Sequence, residues 1–415
     1  MTLPATRLVG ENALSFERSL ALNPEQPPQS ARSSLDDVAH DKLAALERRQ
    51  LRRRLAVTER TAATRAVRAG GELVSFSCND YLGLSHHLDV VAASLRATRR
   101  YGAGAGSSRL VNGNHPLYAE LERKLATLKG TEDAVVFGSG YLTNIGVIPA
   151  LVGRPDLILI DELCHSCLFT GARLSGARVL EFRHNDVEHF KELLRRERAA
   201  QRHCLVLTDG VFSMEGDLAP LPALAALAAE HDAWLMTDDA HGLGVLGDGR
   251  GSSFAFSPPV AVPLQMGTLS KAVGSYGGYL CASHAVAELV RNRARSFIYS
   301  TGLPPGAVGA ASRALDLIAT DRGLVRRPLE LAQRFTAALG LPPAQSPIVS
   351  LPQGSAAQAL AASEALLAAG FLVVAIRPPT VPPGTSRLRV TFSAEHTERE
   401  VDALAAAVRP LLAAT

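Results

Sequence analysis

From Val74 onward, short apolar runs alternate with stretches of helical pattern. Ala134–Phe137, Leu157–Ile160, Leu205–Leu207 and Trp234–Met236 are apolar almost without interruption. Continuous rather than alternating apolarity predicts strands covered on both faces. The alanine- and leucine-rich stretch Leu221–Glu230 predicts the helix that leads into one of them. Repeated strand–helix alternation predicts an α/β fold around a mainly parallel sheet with right-handed crossovers. Upstream, residues 1–40 are polar and contain Pro24, Pro27, Pro28, Ser30, Ser33 and Ser34, which predicts an N-terminal extension. Residues 41–77 follow as an N-terminal helical segment, its helical pattern running from Leu35 to about Arg68. It is rich in arginine, including Arg52, Arg53 and Arg54, and most of these read as a solvated helix face. Residues 78–305 form the large domain, and 306–415 a smaller α+β domain. That last unit combines alanine-rich helices to about Leu339, extended segments near Ile348–Leu351 and Leu372–Ile376, a proline-rich turn, Arg387–Thr391 and a final helix.

In open α/β sheets, ligands sit outside the carboxyl ends of the strands. The polar groups that matter should therefore follow the apolar runs, and they do. Ser139-Gly140-Tyr141 follows the first run, and His165 follows the second after Asp161 and Glu162. Asp209 and Ser213 follow the third; Asp238, Asp239 and His241 follow the fourth. Thr268, Ser270 and Lys271 follow a further short run near Val262–Met266. Each is unremarkable alone, because loops are polar anyway. Together they describe a pocket.

Bulk properties narrow the class without identifying it. A chain of 415 residues exceeds the roughly 250–300 at which one core stops growing, so more than one unit is expected. A formal net charge of +3 gives no strong field toward nucleic acid or membrane. No apolar run approaches the roughly 20 residues that span a bilayer, and the N-terminus lacks a signal-peptide layout. Five cysteines (Cys78, Cys164, Cys167, Cys204, Cys281) are few and odd in number, which favours a reducing cytoplasm over a disulfide framework. Cys164 and Cys167 form C-x-x-C around His165, but no second ligand pair stands at zinc-site spacing, so no metal is expected.

A pyridoxal cofactor needs a lysine, a carboxylate for its pyridine nitrogen and donors for its phosphate. Asp238-Asp239-Ala240-His241-Gly242 supplies an acid just after a strand, and Gly267-Thr268-Leu269-Ser270-Lys271 a lysine flanked by hydroxyls. Gly138-Ser139-Gly140-Tyr141 opens a helix, where free N–H groups and the helix dipole attract phosphate. Blander readings exist for each. A lone lysine is mostly a surface lysine, Asp238 could cap a helix, and His165 and His241 could be structural. Their joint order carries the argument. Gly102–Gly106 lacks dinucleotide-loop spacing, Gly267–Lys271 lacks the upstream glycine of a nucleotide phosphate loop, and no G-x-S-x-G elbow is present.

In combination, Asn79-Asp80-Tyr81-Leu82-Gly83-Leu84, Val211-Phe212-Ser213-Met214-Glu215-Gly216-Asp217, Asp238–Gly242 and Thr268–Lys271 resemble the α-oxoamine synthases, within the fold-type I pyridoxal-phosphate enzymes. The resemblance covers about residues 45–412. It implies a large domain with a mainly parallel seven-stranded sheet, a homodimer with shared active sites, and condensation of an amino acid with an acyl thioester with loss of carbon dioxide. The segment Ala375-Ile376-Arg377-Pro378-Pro379-Thr380-Val381-Pro382, continuing to Arg387-Leu388-Arg389, resembles the branch that joins L-alanine to pimeloyl-CoA or a pimeloyl carrier protein. The alternatives within the family use glycine, or serine with a long acyl chain. A silent scaffold subunit is the alternative of another class, and retention of Lys271, Asp238, His241 and His165 counts against it.

The resemblance implies roles position by position. Lys271 binds pyridoxal phosphate covalently, Asp238 pairs with its pyridine nitrogen, His241 bonds its phenolic oxygen and His165 stacks on its ring. Gly140, Tyr141 and Thr268 lie at the cofactor and its phosphate, with Ser213 near the phenolic oxygen. Ser300 and Thr301 reach the phosphate in the neighbouring subunit. Arg389 clamps the amino-acid carboxylate beside Asn79, and Arg52 and Thr380 line the acyl side. Asp209 stands where relatives often carry glutamate, Ser108-Arg109-Leu110 carries no assigned role, and residues 1–40 have no recognised counterpart.

Overall fold

The computed structural model describes residues 34–49, 51–68 and 70–412, so most of the expected N-terminal extension lies outside the described residues. The fold is built on a seven-stranded sheet of β4 (Asp133–Phe137), β5 (Leu157–Asp161), β6 (Arg178–Phe182), β7 (Cys204–Asp209), β8 (Trp234–Asp238), β9 (Leu264–Thr268) and β10 (Gly278–Ala282). Their spatial order is β4-β10-β9-β8-β7-β5-β6. β5–β6, β5–β7, β7–β8 and β8–β9 pair in parallel; β10 runs antiparallel to both β9 and β4 and alone opposes the common direction.

Helices cover both faces, so neighbouring residues of one strand serve different cores. In β4, Val135 and Phe137 pack into one core while Ala134 and Val136 pack into the other. All residues of β5, β7 and β9 are buried, which is why β5 and the first part of β7 read as continuous apolar runs. Two strands carried no such signal. β6 is an edge strand, mostly half-buried, with Arg178 and Glu181 in its five residues. β10 sits behind Gly274, Gly277 and Gly278, in a run that reads simply as small residues.

The smaller unit contains a three-stranded sheet, β11 (Ile348–Gly354), β14 (Ser386–Thr391) and β13 (Val374–Ile376), in the order β11-β14-β13. Helices Arg322–Leu339, Ala356–Ala368 and Glu398–Leu412 pack on it around Phe335, Leu388, Phe392 and Leu404.

The N-terminal segment differs from the expected long helix. One helix spans Leu35–Arg48, capped by Ser34 in a reciprocal box with Asp37. It then stops, and β1 (Glu59–Arg60), β2 (Arg65–Arg68) and β3 (Gly71–Ser75) follow. These three join β12 (Phe371–Leu372) in a second small sheet, β3 pairing with β12 in parallel. Residues 41–77 therefore contain three short strands after the end of the helix, and their sheet ties them to the C-terminal unit. The turn between β2 and β3 includes Gly70 at φ +80°, a conformation that glycine adopts without strain. The Gly70-Gly71 pair between two short runs was the hairpin signal that the arginine-rich helical pattern masked.

Leu207 lies fully buried in the centre of the seven-stranded sheet. Leu207→Ala is expected to lower the unfolding free energy by about 2–5 kcal/mol, measured by urea denaturation.

Candidate active site

The common strand direction brings the loops after β4, β5, β7, β8 and β9 to one edge of the sheet. There they enclose a cavity of ≈ 200 Å³ lined by Gly140, Tyr141, His165, Asp209, Ser213, Asp238, His241, Thr268 and Lys271, among others. Nine residues foreseen from five separate segments thus line one cavity. Asn79 and Arg389 approach from the other side, on the stretch that follows residues 71–75 and on β14.

Lys271 Nζ lies 2.7 Å from His241 Nε2. Desolvation brings the Lys271 pKa down to about 8, against the opposing pull of Asp238. Desolvation, with the Lys271 and Arg389 cations, drives His241 well below its ordinary value, so its ring is neutral. At neutral pH the lysine is an ammonium and can only donate, so Nε2 must accept and the ring proton sits on Nδ1. Nδ1 is 2.6 Å from the Tyr81 hydroxyl. Tyr81 is fully buried, which raises its pKa to about 12, and its oxygen also stands 3.2 Å from Asn79 Oδ1. Arg389 closes the circuit. Its Nη2 donates to the Tyr81 hydroxyl (3.4 Å), its Nη1 to Asn79 Oδ1 (3.0 Å) and its Nε to the Ser213 carbonyl (2.5 Å).

Opposite, Asp238 is held at the end of β8. Oδ2 accepts from Asn144 Nδ2 (2.8 Å), and Oδ1 from the backbone N–H of Ala240 (3.0 Å). Asn144 also donates to Cys167 Sγ at 3.0 Å. Cys167 in turn fixes His165, whose Nδ1 accepts from the Cys167 backbone N–H (3.3 Å) and lies 2.8 Å from its sulfur. Desolvation lowers the His165 pKa, so this ring too is neutral, with its proton on Nε2. Asp209 is buried within the field of Asp238, which pushes its carboxyl well upward. It accepts from the His165 backbone N–H at 3.4 Å. Asp239, next in sequence to Asp238, has a different task. It forms a buried ion pair with Lys129 (2.7 Å) that also engages the Arg250 carbonyl.

The end of the cavity nearest β4 suits a phosphate. The helix Gly140–Leu151 begins there, with Ser139 capping it through the Leu142 N–H at 3.1 Å. Thr268 faces Gly140; a Cβ on Gly140 would lie 3.4 Å from the Thr268 Cβ. This close seat depends on Gly278 in β10, where a Cβ would come within 2.6 Å of the Gly140 nitrogen. The donors, the carboxylate and the lysine are thus spread along one cavity, flanked by the His165 ring. That donor set fits a planar, phosphorylated aldehyde with a basic ring nitrogen, and pyridoxal phosphate is such a group.

A second cavity, of ≈ 590 Å³, adjoins the first through His165 and Ser213. Its walls include Leu43, Leu46, Leu51, Arg52, Arg53, Met214, Pro379 and Thr380. Arg52 and Thr380 therefore line this outer cavity. Arg52 pairs with Glu47 at 3.2 Å, and Arg53 donates to Thr380 Oγ1 at 3.0 Å. Ser300 and Thr301 are outside the inner cavity of this chain, and Thr301 is exposed beside Ser108, to which it is bridged. Arg109, assigned no role from sequence, forms a buried two-pronged pair with Glu122 (2.6 and 3.1 Å). Sequence reasoning missed Asn144, Cys167 and Tyr81 as members of the site. Tyr81 stood within a quoted motif and Cys167 within the C-x-x-C weighed only as a metal signal, but nothing local marked Asn144.

The family model for class I and II aminotransferases matches residues 71–408. An 8-amino-7-oxononanoate synthase from Methylobacterium nodulans is 60% identical over 387 residues, covering 93% of this chain and all of the relative. Among solved structures, serine palmitoyltransferase from S. paucimobilis with a bound PLP–myriocin aldimine superposes with a TM-score of 0.85 at 31% identity, covering 92% of this chain and 99% of that one. The 8-amino-7-oxononanoate synthase of Francisella tularensis gives 0.69 at 25% identity, covering 82% and 97%.

The lowered Lys271 pKa makes a measurable demand on the cofactor-free chain. Only the neutral amine is nucleophilic, so labelling of Lys271 by an acylating reagent should rise about tenfold per pH unit and level off above about 8. Surface lysines should keep rising to about pH 10, their ordinary range. Competitive labelling read by peptide mass spectrometry checks this.

Proposed function

The chain belongs to the aminotransferase class I and II family, alongside the 8-amino-7-oxononanoate synthases, and on that premise we propose how its residues divide the work. The reaction is the pyridoxal-phosphate-dependent condensation of L-alanine with a pimeloyl thioester, a step of biotin biosynthesis. A bond forms between the alanine α-carbon and the thioester carbonyl, the thiol leaves, and the alanine carboxyl departs as carbon dioxide. The observation that carries this reading is 60% identity across the whole of a relative of that name, combined with a lysine, an acid and two histidines around one cavity.

Pyridoxal phosphate, when bound, supplies a cationic ring that stabilises negative charge at the amino acid's α-carbon. Lys271 attaches it and, once displaced by the incoming amine, takes the α-proton on Nζ. Asp238 faces the ring nitrogen and stabilises its proton. The Asn144 and Ala240 contacts hold that carboxylate in place. His165 covers one face of the ring. His241 and Ser213 lie toward the phenolic oxygen, and Thr268 with the N–H groups near Gly140 and Tyr141 holds the phosphate. Arg389, now turned to Asn79, Tyr81 and the Ser213 carbonyl, offers a planar fork for the substrate carboxylate, with Asn79 beside it. Arg52 and Thr380 border the outer cavity, whose leucine, methionine and proline walls suit a methylene chain.

Ser300 and Thr301 are assigned to the phosphate site of a second copy, giving a homodimer. The exposed Tyr141, Tyr276 and Tyr299 near this edge support burial by a partner. Among the described residues, no helix is long and apolar enough to cross a membrane. The five cysteines are all free, which supports a reducing cytoplasm as its compartment.

The experiment is a thiol-release assay over a panel of amino acids and acyl-CoAs. Alanine with pimeloyl-CoA should be the preferred pair, and borohydride should fix the cofactor on the peptide holding Lys271. Preference for glycine, or for serine with palmitoyl-CoA, would overturn the substrate assignment. Lys271→Ala should abolish turnover. Arg389→Lys keeps the charge but loses the fork. It should raise the KM for alanine by about tenfold or more and leave the KM for the acyl thioester near its original value.

A further inference from the structure

Tyr81 is buried between two groups with different tasks, His241 and Arg389, and the assigned mechanism uses neither its hydroxyl nor its ring. Its oxygen is 2.6 Å from His241 Nδ1, 3.2 Å from Asn79 Oδ1 and 3.4 Å from Arg389 Nη2. A hydroxyl can donate or accept, unlike a carbonyl, a carboxylate or an ammonium. That freedom bears on His241, which stays neutral because it is desolvated beside Lys271 and Arg389. A neutral imidazole presents either an acceptor or a donor at Nε2, and the nature of Nδ1 follows in the opposite sense.

We propose that Tyr81 is a positioning residue that lets His241 exchange tautomers according to what stands before Nε2. With the Lys271 ammonium there, as in this structure, Nε2 accepts, Nδ1–H donates to the Tyr81 oxygen, and the Tyr81 proton turns to Asn79 Oδ1. With an acceptor oxygen there, such as the cofactor's phenolic oxygen, the ring proton sits on Nε2 and the Tyr81 hydroxyl donates to Nδ1. The two arrangements of His241 and Tyr81 hold the same number of protons. They differ in which ring nitrogen carries its proton and in the direction of one O–H. No other side chain hydrogen-bonds His241 Nδ1 among the described contacts, so the exchange depends on this hydroxyl. The charged and titratable groups around the ring are Lys271, Arg389, His165 and Tyr81, with Asp238 and Asp209 on the facing wall of the cavity.

The inference rests on the assignment of His241 to the phenolic oxygen, and the test separates the two. Loading is first established by absorbance and by borohydride labelling of Lys271; failure there counts against the site assignment. Nitrogen-15 NMR of ring-labelled histidine, assigned with His241→Asn, then reads the tautomer in cofactor-free and loaded chain. Nδ1–H in the first and Nε2–H in the second is expected. The same tautomer in both would overturn the proposal. The second arm uses Tyr81→Phe, which keeps the buried ring. Loaded Tyr81→Phe should move the pH at which the cofactor's absorbance changes upward by about one unit, because the donor to the phenolic oxygen loses its support. An unmoved transition in a folded, loaded variant would also overturn it. If the variant does not fold, the NMR arm on the unaltered chain decides.

Discussion

Parallel strands need crossover connections, and the crossovers put helices on both faces of the sheet. In this protein that leaves the inner strands of the large sheet little solvated face on which to carry polar chemistry. β5, β7 and β9 are buried along their whole length. The polar groups that reach the cavity appear where a strand ends and the chain turns. Because six of the seven strands share a direction, five of those ends meet along one edge. The reactive groups are therefore gathered by the same packing that stabilises the fold, and a change deep in β7 or β8 would be felt in the cavity they feed.

Gathering so many ionisable groups has an electrostatic cost, and the site manages it by division of labour. Asp238 and Asp209 share a desolvated wall, and the second yields. Burial beside Asp238 pushes its carboxyl well up, and it accepts a backbone N–H. Asp239 is kept out of the cavity by Lys129, in a pair that is itself fully buried. On the cationic side, Lys271 and Arg389 are separated by neutral His241 and Tyr81. Each partner holds another in a defined protonation state, so the site is ordered as a network before any ligand enters.

The sheet was legible because burial on both faces writes itself as continuous apolar sequence, and the strand ends were legible as the polar residues that interrupt it. Lys271, Asp238, His241 and His165 were found by this logic together with the family resemblance. What escaped notice had the opposite character. β6 is an edge strand with charged residues, and β10 is hidden in glycines. The strands of residues 59–75 were masked by arginines and pair with Phe371–Leu372, some 300 positions away. Asn144 lies on a helix, where its spacing is not distinctive, and the C-x-x-C of Cys167 pointed to a metal rather than to its contacts here. Their importance arises only from the 2.8 and 3.0 Å contacts that tertiary folding creates.

The same contrast bears on how related reactions diverge on one fold. The inner cavity is built from strand ends of a single rigid sheet, and the amino-acid chemistry is tied to it. The outer cavity is assembled from the helix Leu35–Arg48, the Leu51–Arg53 segment, the Met214 loop and the Pro379–Thr380 turn, which are distant in sequence. The helix has no buried residue, and one contact across the gap is the hydrogen bond from Arg53 to Thr380. Walls of that kind can change length and polarity without disturbing the sheet. On the proposed assignment of the outer cavity to the acyl chain, the acyl partner is met by loosely supported walls, while the proposed bond-making residues stand on the rigid sheet.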